Sequence, residues 1–246
     1  MFFLTPDRTT IKRVLALAAL LGLYVLARYT VGTLRSQAAA TTELKPVSKA
    51  DTPEKKLALT FNVTWGNKIP AQILDILKQK GVKVTFFTVG PWAAANPELA
   101  RRIIAEGHEM GSLGYSSVAM TKLKKEEIAH NLAQADTIIS QVTGRRPSFF
   151  RPPGGKYNTE VIATAMEKGY LTVIWDTDSF DSLNPGPSAI VKNVVDKAGE
   201  GSIVLLHAND TSIETAEALP AIIDGLRQKG YEMLTVGQLL TREEPD

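Results

Sequence analysis

The sequence contains no cysteine, which excludes disulfide bonds and thiolate metal sites. Its net charge is only +2, so its composition gives no reason to expect nucleic acid as a partner. No glycine-rich phosphate loop follows any apolar run, which argues against a nucleotide-binding site. The chain has 246 residues, 44% of them hydrophobic, and past its N-terminus it is long enough for one domain with a sizeable core.

The N-terminal stretch is typical of a segment that directs a chain to the membrane. Lys12 and Arg13 precede VLALAALLGLYVLA at positions 14–27, a basic region followed by an apolar run of signal-peptide length. We interpret residues 1–35 as a cytoplasmic start and an uncleaved signal anchor, with the rest of the chain outside the cytoplasm. One alternative is cleavage near Ala40 and secretion, because a full span needs about 20 residues. A buried or amphipathic helix is the other alternative.

A change of composition divides the remaining chain into a linker and a domain. Residues 36–56 are polar and charged and contain proline, which predicts a linker. Over residues 57–241, short runs rich in β-branched and aromatic residues alternate with helical patterns. The predicted strands are LALTFNV, VTFFTVG, EMGSLGY, SFFRPPG, YLTVIWDTDS, SIVLLHAND and YEMLTVGQLL. This α/β alternation predicts a parallel sheet covered by helices, either as a (β/α) barrel or as a doubly wound open sheet.

Polar residues lie at the ends of several predicted strands. They are Asn62, Arg151, Asp176, Asp178 and His207. In a barrel of parallel strands, the carboxyl ends meet at one edge, and active sites collect there. The sequence therefore predicts a functional site at this edge.

Five motifs occur in order between residues 57 and 240. They are TFNV at 60–63, GHEMGSLGYSS at 107–117, RPPGG at 151–155, DSFDSLNPG at 178–186 and LLH at 205–207. Together they resemble the motifs of the polysaccharide deacetylase family, the carbohydrate esterases with a NodB-homology domain. The sporulation-type branch of that family is the most similar. The resemblance implies a distorted (β/α) barrel for residues 57–241, preceded by the N-terminal signal-anchor helix.

The resemblance also implies a metal site, and the sequence departs from it. Family members hydrolyse an acetamide with a divalent metal, usually zinc, held by one Asp and two His. At these positions this chain has Val63, Leu113 and Ser117, which supply no adequate donors, so no metal cofactor is expected. Asn62 replaces the general base, and an amide is not basic at neutral pH. A replacement metal site is an open alternative; its candidate ligands are His207, His108, Asp178 and Asp181.

The other half of the family's site is retained. The resemblance implies that His207 is the acid that protonates the leaving amine, that Asp181 orients it, and that Arg151 pairs with the base position. It also implies that the backbone N–H of Gly154 donates to the oxyanion. Two structural alternatives stay open: Arg151 bridges strand ends, and His207 and Asp181 form a buried pair whose hydrogen bonds satisfy each other.

Aromatic residues near the motifs are candidates for stacking on sugar rings. Trp65 and Tyr157 are the glycan-binding candidates, with core packing as the alternative for each. Trp92 is predicted in the loop after VTFFTVG, whereas Trp175 ends a strand run, which favours the core. The family's Trp in the fourth motif is replaced by Ser182. His108 is expected to be structural, and His130 to be solvated on the helix over 124–143.

Three functions follow from these residues. The first is a pseudoenzyme that binds cell-wall glycan, such as peptidoglycan or a chitin-like chain, or an envelope protein, at the membrane surface or in the spore envelope. The second is an active hydrolase that removes acetyl groups from N-acetylated or O-acetylated cell-wall glycan by an atypical mechanism through His207 and Asp181. The third is a structural assembly protein whose cleft is closed by its own side chains.

Overall fold

The structure, a computed structural model, describes residues 21–24, 26, 28 and 44–241. Residues 21–24, 26 and 28 are helical, and the remaining positions of the predicted signal anchor lie outside the described residues. Within the described part of the chain, no helix is both long enough and apolar enough to cross a bilayer. The described residues from 45 to 241 form one compact unit, which contains the predicted domain.

The compact unit is built on one sheet in which every strand pair is parallel. The strand order is β5-β4-β3-β2-β1-β7-β6, and β8 pairs with the first residues of β1. The strands are β1 (Lys56–Val63), β2 (Thr85–Thr88), β3 (Glu109–Ser112), β4 (Phe149–Phe150), β5 (Leu171–Thr172), β6 (Thr177–Asp178), β7 (Ile203–His207) and β8 (Glu232–Leu234).

Helices connect the strands and cover the sheet, as the alternation of patterns predicts. Glycines in the left-handed conformation end two of them: Gly81 (φ 63°) and Gly144 (φ 72°). Asn158 begins another, because its side chain accepts a 3.0 Å hydrogen bond from the backbone N–H of Val161. The helices are α1 (Lys68–Lys80), α2 (Gly90–Ala95), α3 (Pro97–Ala105), α4 (Lys125–Thr143), α5 (Thr159–Glu167), α6 (Pro187–Val195), α7 (Ile213–Gln228) and α8 (Val236–Leu240).

The burial of the central strand β1 explains why the predicted strands are apolar runs in the sequence. Seven of its eight residues are buried, including Leu57, Leu59 and Phe61, because both faces of the sheet are covered. The Phe61 and Phe86 rings stack with their centroids 5.4 Å apart, which ties β1 to β2. The curled parallel sheet confirms the predicted distorted (β/α) barrel.

One predicted strand, YLTVIWDTDS, is two strands in the structure. Its first residues form β5 at one end of the sheet, and its last residues form β6 at the other end. Between them, Val173 N–H donates to Phe150 O (2.8 Å), whereas Asp176 N–H donates to Ile203 O (3.2 Å). The segment 173–176 therefore carries the chain across the gap between the two ends and closes the barrel.

Part of the predicted linker belongs to the folded unit. Val47 N–H donates to Thr172 O (2.9 Å), and Val47 O accepts a 2.8 Å hydrogen bond from Ile174 N–H. Ala50, which is buried, donates its N–H to Gly201 O (2.8 Å). These hydrogen bonds satisfy backbone groups of segment 173–176 and of the turn before β7, so residues 45–50 are structural despite their polar composition.

Candidate functional site

The carboxyl edge of the sheet brings the predicted half-site together. Asn62 on β1 lies opposite His207 on β7 in the strand register. Arg151 follows β4, where its N–H donates to Ser112 O (2.8 Å). Asp181 follows β6, in a short 3-10 turn (Asp181–Leu183). Four residues that lie far apart in the sequence thus reach one edge, because the strands that carry them are parallel neighbours.

His207 and Asp181 form a buried hydrogen-bonded pair. His207 Nδ1 lies 2.7 Å from Asp181 Oδ1, and the backbone N–H of His207 donates to Asp181 Oδ2 (2.6 Å). The hydroxyl of Thr215, at the start of α7, donates to the same Oδ2 (2.7 Å). Burial raises the pKa of Asp181, but the hydrogen bonds from His207 and Thr215 outweigh it and hold the pKa below its ordinary value. The carboxylate therefore stays charged and fixes the orientation of the imidazole ring.

Removing this carboxylate is expected to destabilise the chain in a pH-dependent way. Asp181→Asn is expected to lower the free energy of unfolding by about 2–4 kcal/mol at pH 7, since it breaks a buried, charge-assisted network. Because the folded pKa is depressed, the contribution of Asp181 is fully present above about pH 4 and is lost as the pH falls through the folded value.

Urea unfolding at pH 7 and at pH 3 checks this prediction. The exposed Asp224, which pairs with Lys80, supplies the matched control Asp224→Asn, expected to change stability by less than about 1 kcal/mol. If Asp181→Asn lowers the free energy of unfolding by the same amount at both pH values, the assignment of the depressed pKa to this carboxylate is contradicted.

Arg151 and Asn62 form the floor of the site. The Arg151 side chain is fully buried, and its Nη1 donates to Asn62 Oδ1 (3.0 Å). Its Nη2 donates to Ile174 O (3.2 Å) and its Nε to Val173 O (3.4 Å). Burial lowers the pKa of Arg151 to about 9, which still leaves the guanidinium charged at neutral pH. Arg151 therefore bridges strand ends and also holds Asn62 in place, so the two predicted roles coexist.

The residues at the predicted metal positions do not fit a zinc ion. Val63 is fully buried and packs in the hydrophobic core, Leu113 is 3% exposed, and Ser117 is exposed with only a neutral hydroxyl. Neither aliphatic side chain has a lone pair to donate. Across the described residues, no group of three or more His, Asp or Glu side chains is placed to hold a metal ion.

The candidate replacement ligands do not all come together, because His108 lies apart from the others. His108 precedes β3, so it lies at the amino end of the strands, whereas His207 ends β7. The His108 ring packs edge-on against the Phe86 ring with the two centroids 5.5 Å apart, and His108 Nδ1 accepts a hydrogen bond from Val84 N–H (3.3 Å). Burial lowers the pKa of His108 to about 4, so the ring is neutral at pH 7. His108 is therefore a structural residue, as predicted, and His130 is exposed, as predicted.

An open cleft of about 630 Å³ lies above the floor. Predicted site residues on its walls are Asn62, Leu113, Ser117, Gly154 and His207. Asp178 and Ser182 also line it, together with residues that the sequence did not point to. These are Thr64, Ala119, Pro153, Lys156, Trp175, Leu205 and Asn209. The predicted cleft residues therefore converge on one concave surface.

The aromatic residues are distributed differently from expectation. Trp65 and Tyr157 are 49% and 43% exposed on loops at the carboxyl edge, outside the set of described residues that line the cleft. Trp175 packs against the core, as predicted, but it also lines the cleft. Trp92 is not in a loop: it lies in helix α2, is buried, and donates from Nε1 to Gly66 O (2.7 Å). Trp92 therefore stabilises the loop after β1 through this hydrogen bond.

Two polar residues after β7 hold the loop after β1, and the sequence reading missed them. Asn209 Oδ1 accepts hydrogen bonds from the backbone N–H groups of Thr64 (2.8 Å) and Trp65 (3.3 Å). Asp210 Oδ1 accepts from Lys68 N–H (2.9 Å) and Ile69 N–H (3.0 Å), which caps α1 from another part of the chain. The polar pair Asn209-Asp210, one residue beyond LLH, was the only signal in the sequence.

A barrel of parallel strands with polar side chains at their carboxyl ends is an enzyme scaffold. This chain belongs to the polysaccharide deacetylase family, whose model matches residues 49–173. The peptidoglycan-N-acetylglucosamine deacetylase of Bacillus cereus is 37% identical over 191 residues, 76% of this chain and 89% of that protein. The uncharacterized protein YlxY of Bacillus subtilis is 36% identical over 196 residues, which are 80% of this chain but only 60% of YlxY.

Solved structures give the same assignment. BA3943 of Bacillus anthracis, described as a CE4 family pseudoenzyme, superposes with a TM-score of 0.77 at 32% identity, over 80% of this chain and 69% of that chain. A BA3943 mutant described as having restored enzymatic activity matches with the same TM-score and identity and covers 72% of that chain. The resemblance inferred from the motifs is therefore confirmed at the level of family and fold.

Proposed function

We propose that this chain is a non-catalytic polysaccharide deacetylase homologue that binds cell-wall glycan at the outer side of the membrane. The observation that carries the proposal is an open cleft of about 630 Å³ that is lined by Asn62, Leu113 and Ser117 at the positions of the base and two metal ligands, while Val63, at the third ligand position, is buried in the core. An open cleft favours binding over a purely structural assembly role, for which the chain's own side chains would fill the space. The extracytoplasmic location rests on the N-terminal sequence.

The relatives support glycan as the ligand. The Bacillus cereus relative is named a peptidoglycan-N-acetylglucosamine deacetylase, and a Bacillus subtilis relative is named a peptidoglycan-N-acetylmuramic acid deacetylase. The exposed aromatic rings of Trp65 and Tyr157 stand on loops at the same edge as the cleft, where they offer flat surfaces to sugar rings. Peptidoglycan is therefore the first glycan to test, and a chitin-like chain the second. An envelope protein is the alternative partner.

The test combines metal content, activity and binding of the full chain. After exposure to zinc and removal of free metal, we expect far less than one zinc per chain. We also expect no release of acetate from chito-oligosaccharides or peptidoglycan fragments, together with measurable binding of the same glycans. Release of acetate by zinc-loaded protein would refute the pseudoenzyme assignment, and failure to bind any of these glycans would refute the glycan-binding role.

A matched pair of variants tests the aromatic contact. Trp65→Ala is expected to weaken glycan binding about tenfold, or about 1.4 kcal/mol, through the loss of stacking. Met166→Ala is the control, because Met166 is also exposed (56%) but lies at the far end of α5, away from the carboxyl edge. If the two substitutions change the affinity for glycan equally, Trp65 is not part of the binding surface.

The second candidate is an active hydrolase of altered mechanism. It is favoured by one observation, the intact His207–Asp181 pair with its 2.7 Å contact at the cleft. If any acetate release is detected, His207→Ala is expected to abolish it, since His207 is the cleft-lining imidazole. Activity that is unchanged by this substitution would exclude the mechanism.

A further inference from the structure

Arg151 is a buried cation that has no counter-charge among the residues that the structure describes. Its side chain is fully buried, and no carboxylate of the described residues lies within ion-pair distance of its guanidinium. The guanidinium carbon lies 4.0 Å from the ring centroid of Phe87 and 5.5 Å from that of Trp175. Aromatic faces and neutral oxygens stabilise a cation only in part, so the floor of the cleft carries an unbalanced positive charge.

Arg151 also fixes the orientation of the Asn62 amide. A guanidinium has only donors, so the atom that faces it at 3.0 Å must be the Asn62 oxygen. The amide NH₂ group therefore points away from Arg151. Asn62 is 8% exposed and lines the cleft, and no described group accepts a hydrogen bond from its Nδ2. The floor thus presents to the cleft a donor from which no described group accepts, where an Asp at this position would present an acceptor.

The other polar groups around the cleft are compatible with a negatively charged ligand. Lys156 and Ser117 line it and are donors, and His207 has its Nδ1 engaged by Asp181. Asp178 is the acidic side chain on the lining, and its Oδ1 already accepts a hydrogen bond from Phe180 N–H (2.8 Å). The cleft therefore offers a negative ligand the Lys156 ammonium and the Asn62 amide as donors.

We propose that the floor of this cleft binds a carboxylate, with Asn62 Nδ2 as the hydrogen-bond donor and Arg151 as the buried counter-charge. A carboxylate accepts hydrogen bonds through both oxygens and supplies the negative charge that Arg151 lacks. Its source is either an acidic sugar of the glycan or a free small carboxylate. The first source rests on the proposed glycan-binding function, whereas the carboxylate site itself does not.

Acetate and acetamide are the probes, because they have nearly the same shape and differ in charge. Each is titrated into the full chain at constant ionic strength, set with chloride, and binding is followed by NMR chemical-shift changes. Acetate is expected to bind at least about tenfold more tightly than acetamide, as expected for an anion that meets a desolvated positive charge. Equal affinities, or tighter binding of acetamide, would overturn the proposal.

A matched pair of variants assigns the site to the floor. Asn62→Asp places a carboxylate beside Arg151, so it is expected to weaken acetate binding at least about tenfold. Asn67→Asp adds the same charge at an exposed position in the loop after β1, and acetate binding is expected to persist. Loss of binding in both variants, or in neither, would contradict the proposed site. The comparison of acetate with acetamide on the unaltered chain stands even if Asn62→Asp fails to fold.

N-acetylmuramic acid and N-acetylglucosamine separate the two sources, since only the first carries a carboxylate. Tighter binding of N-acetylmuramic acid than of acetate identifies an acidic sugar as the ligand, and binding of acetate alone identifies a free carboxylate. Glycan binding without any acetate binding would contradict the carboxylate site and leave the proposed glycan-binding function intact. Acetate binding without glycan binding would support the carboxylate site and contradict the glycan-binding function.

Discussion

Four substitutions, Asn62→Asp, Val63→Asp, Leu113→His and Ser117→His, are expected together to give the chain a zinc ion and deacetylase activity. They restore the ligand and base types that the family resemblance implies at these positions. The retained His207, Asp181 and Arg151 already lie at the same edge of the barrel. The BA3943 mutant described as having restored enzymatic activity has the same fold at 32% identity, which supports the feasibility of such a change.

Stability offers a readout of this variant that does not depend on activity. Val63 is fully buried, so an Asp at this position without a metal is an uncompensated buried charge that costs several kcal/mol. The metal-free variant is therefore expected to be less stable than the unaltered chain. Zinc at about a hundredfold above its dissociation constant is expected to restore about 2.7 kcal/mol. The unaltered chain is expected to show no zinc-dependent change in melting temperature.

The control is the same variant without Leu113→His. Leu113 is nearly buried on the cleft wall, and a variant that keeps it lacks one imidazole of the ligand set. It is expected to hold much less zinc and to show no acetate release. Zinc binding by the unaltered chain, or failure of the four-substitution variant to bind zinc, would show that the metal position has been assigned to the wrong residues.

Arg151→Met is expected to destabilise the chain by about 3–5 kcal/mol, because it leaves three hydrogen-bond acceptors in the protein interior without their donor. The substitution removes a charge that is costly to bury, which alone would be favourable. It also leaves Asn62 Oδ1 and the carbonyl oxygens of Val173 and Ile174 without their donor, at about 1–3 kcal/mol each. The three unsatisfied oxygens outweigh the gain, because two aromatic rings already stabilise the charge.

Urea unfolding at neutral pH measures this effect. Lys156→Met is the control, since Lys156 is an exposed cation on the same cleft, and a change within about 0.5 kcal/mol is expected. Arg151→Lys tests the geometry: it keeps the charge, but one ammonium group cannot reach three separated acceptors in the planar arrangement of a guanidinium. A loss below about 1 kcal/mol for Arg151→Met would show that Arg151 does not hold the strand ends together.

Local signals in the sequence predicted most of the secondary structure. The helix predicted over 124–143, for example, is α4 in the structure. The strand YLTVIWDTDS was wrong as a single element, because apolar character does not distinguish a strand from a buried crossing segment. The predicted linker failed at residues 45–50 for a related reason: backbone hydrogen bonds to Thr172 and Gly201 do not depend on side-chain polarity.

The sequence by itself determined the α/β alternation and the residue types at each motif position, including the loss of metal donors at Val63 and Leu113. These are local properties of the chain, and the family and the barrel were implied by the resemblance of its motifs. Only the tertiary structure decided that Arg151 has no counter-charge in the described part of the chain and that Asn62 turns its amide NH₂ toward an open cleft. Charge balance and donor direction depend on which groups the parallel strands bring side by side, and no local pattern in the chain encodes that neighbourhood.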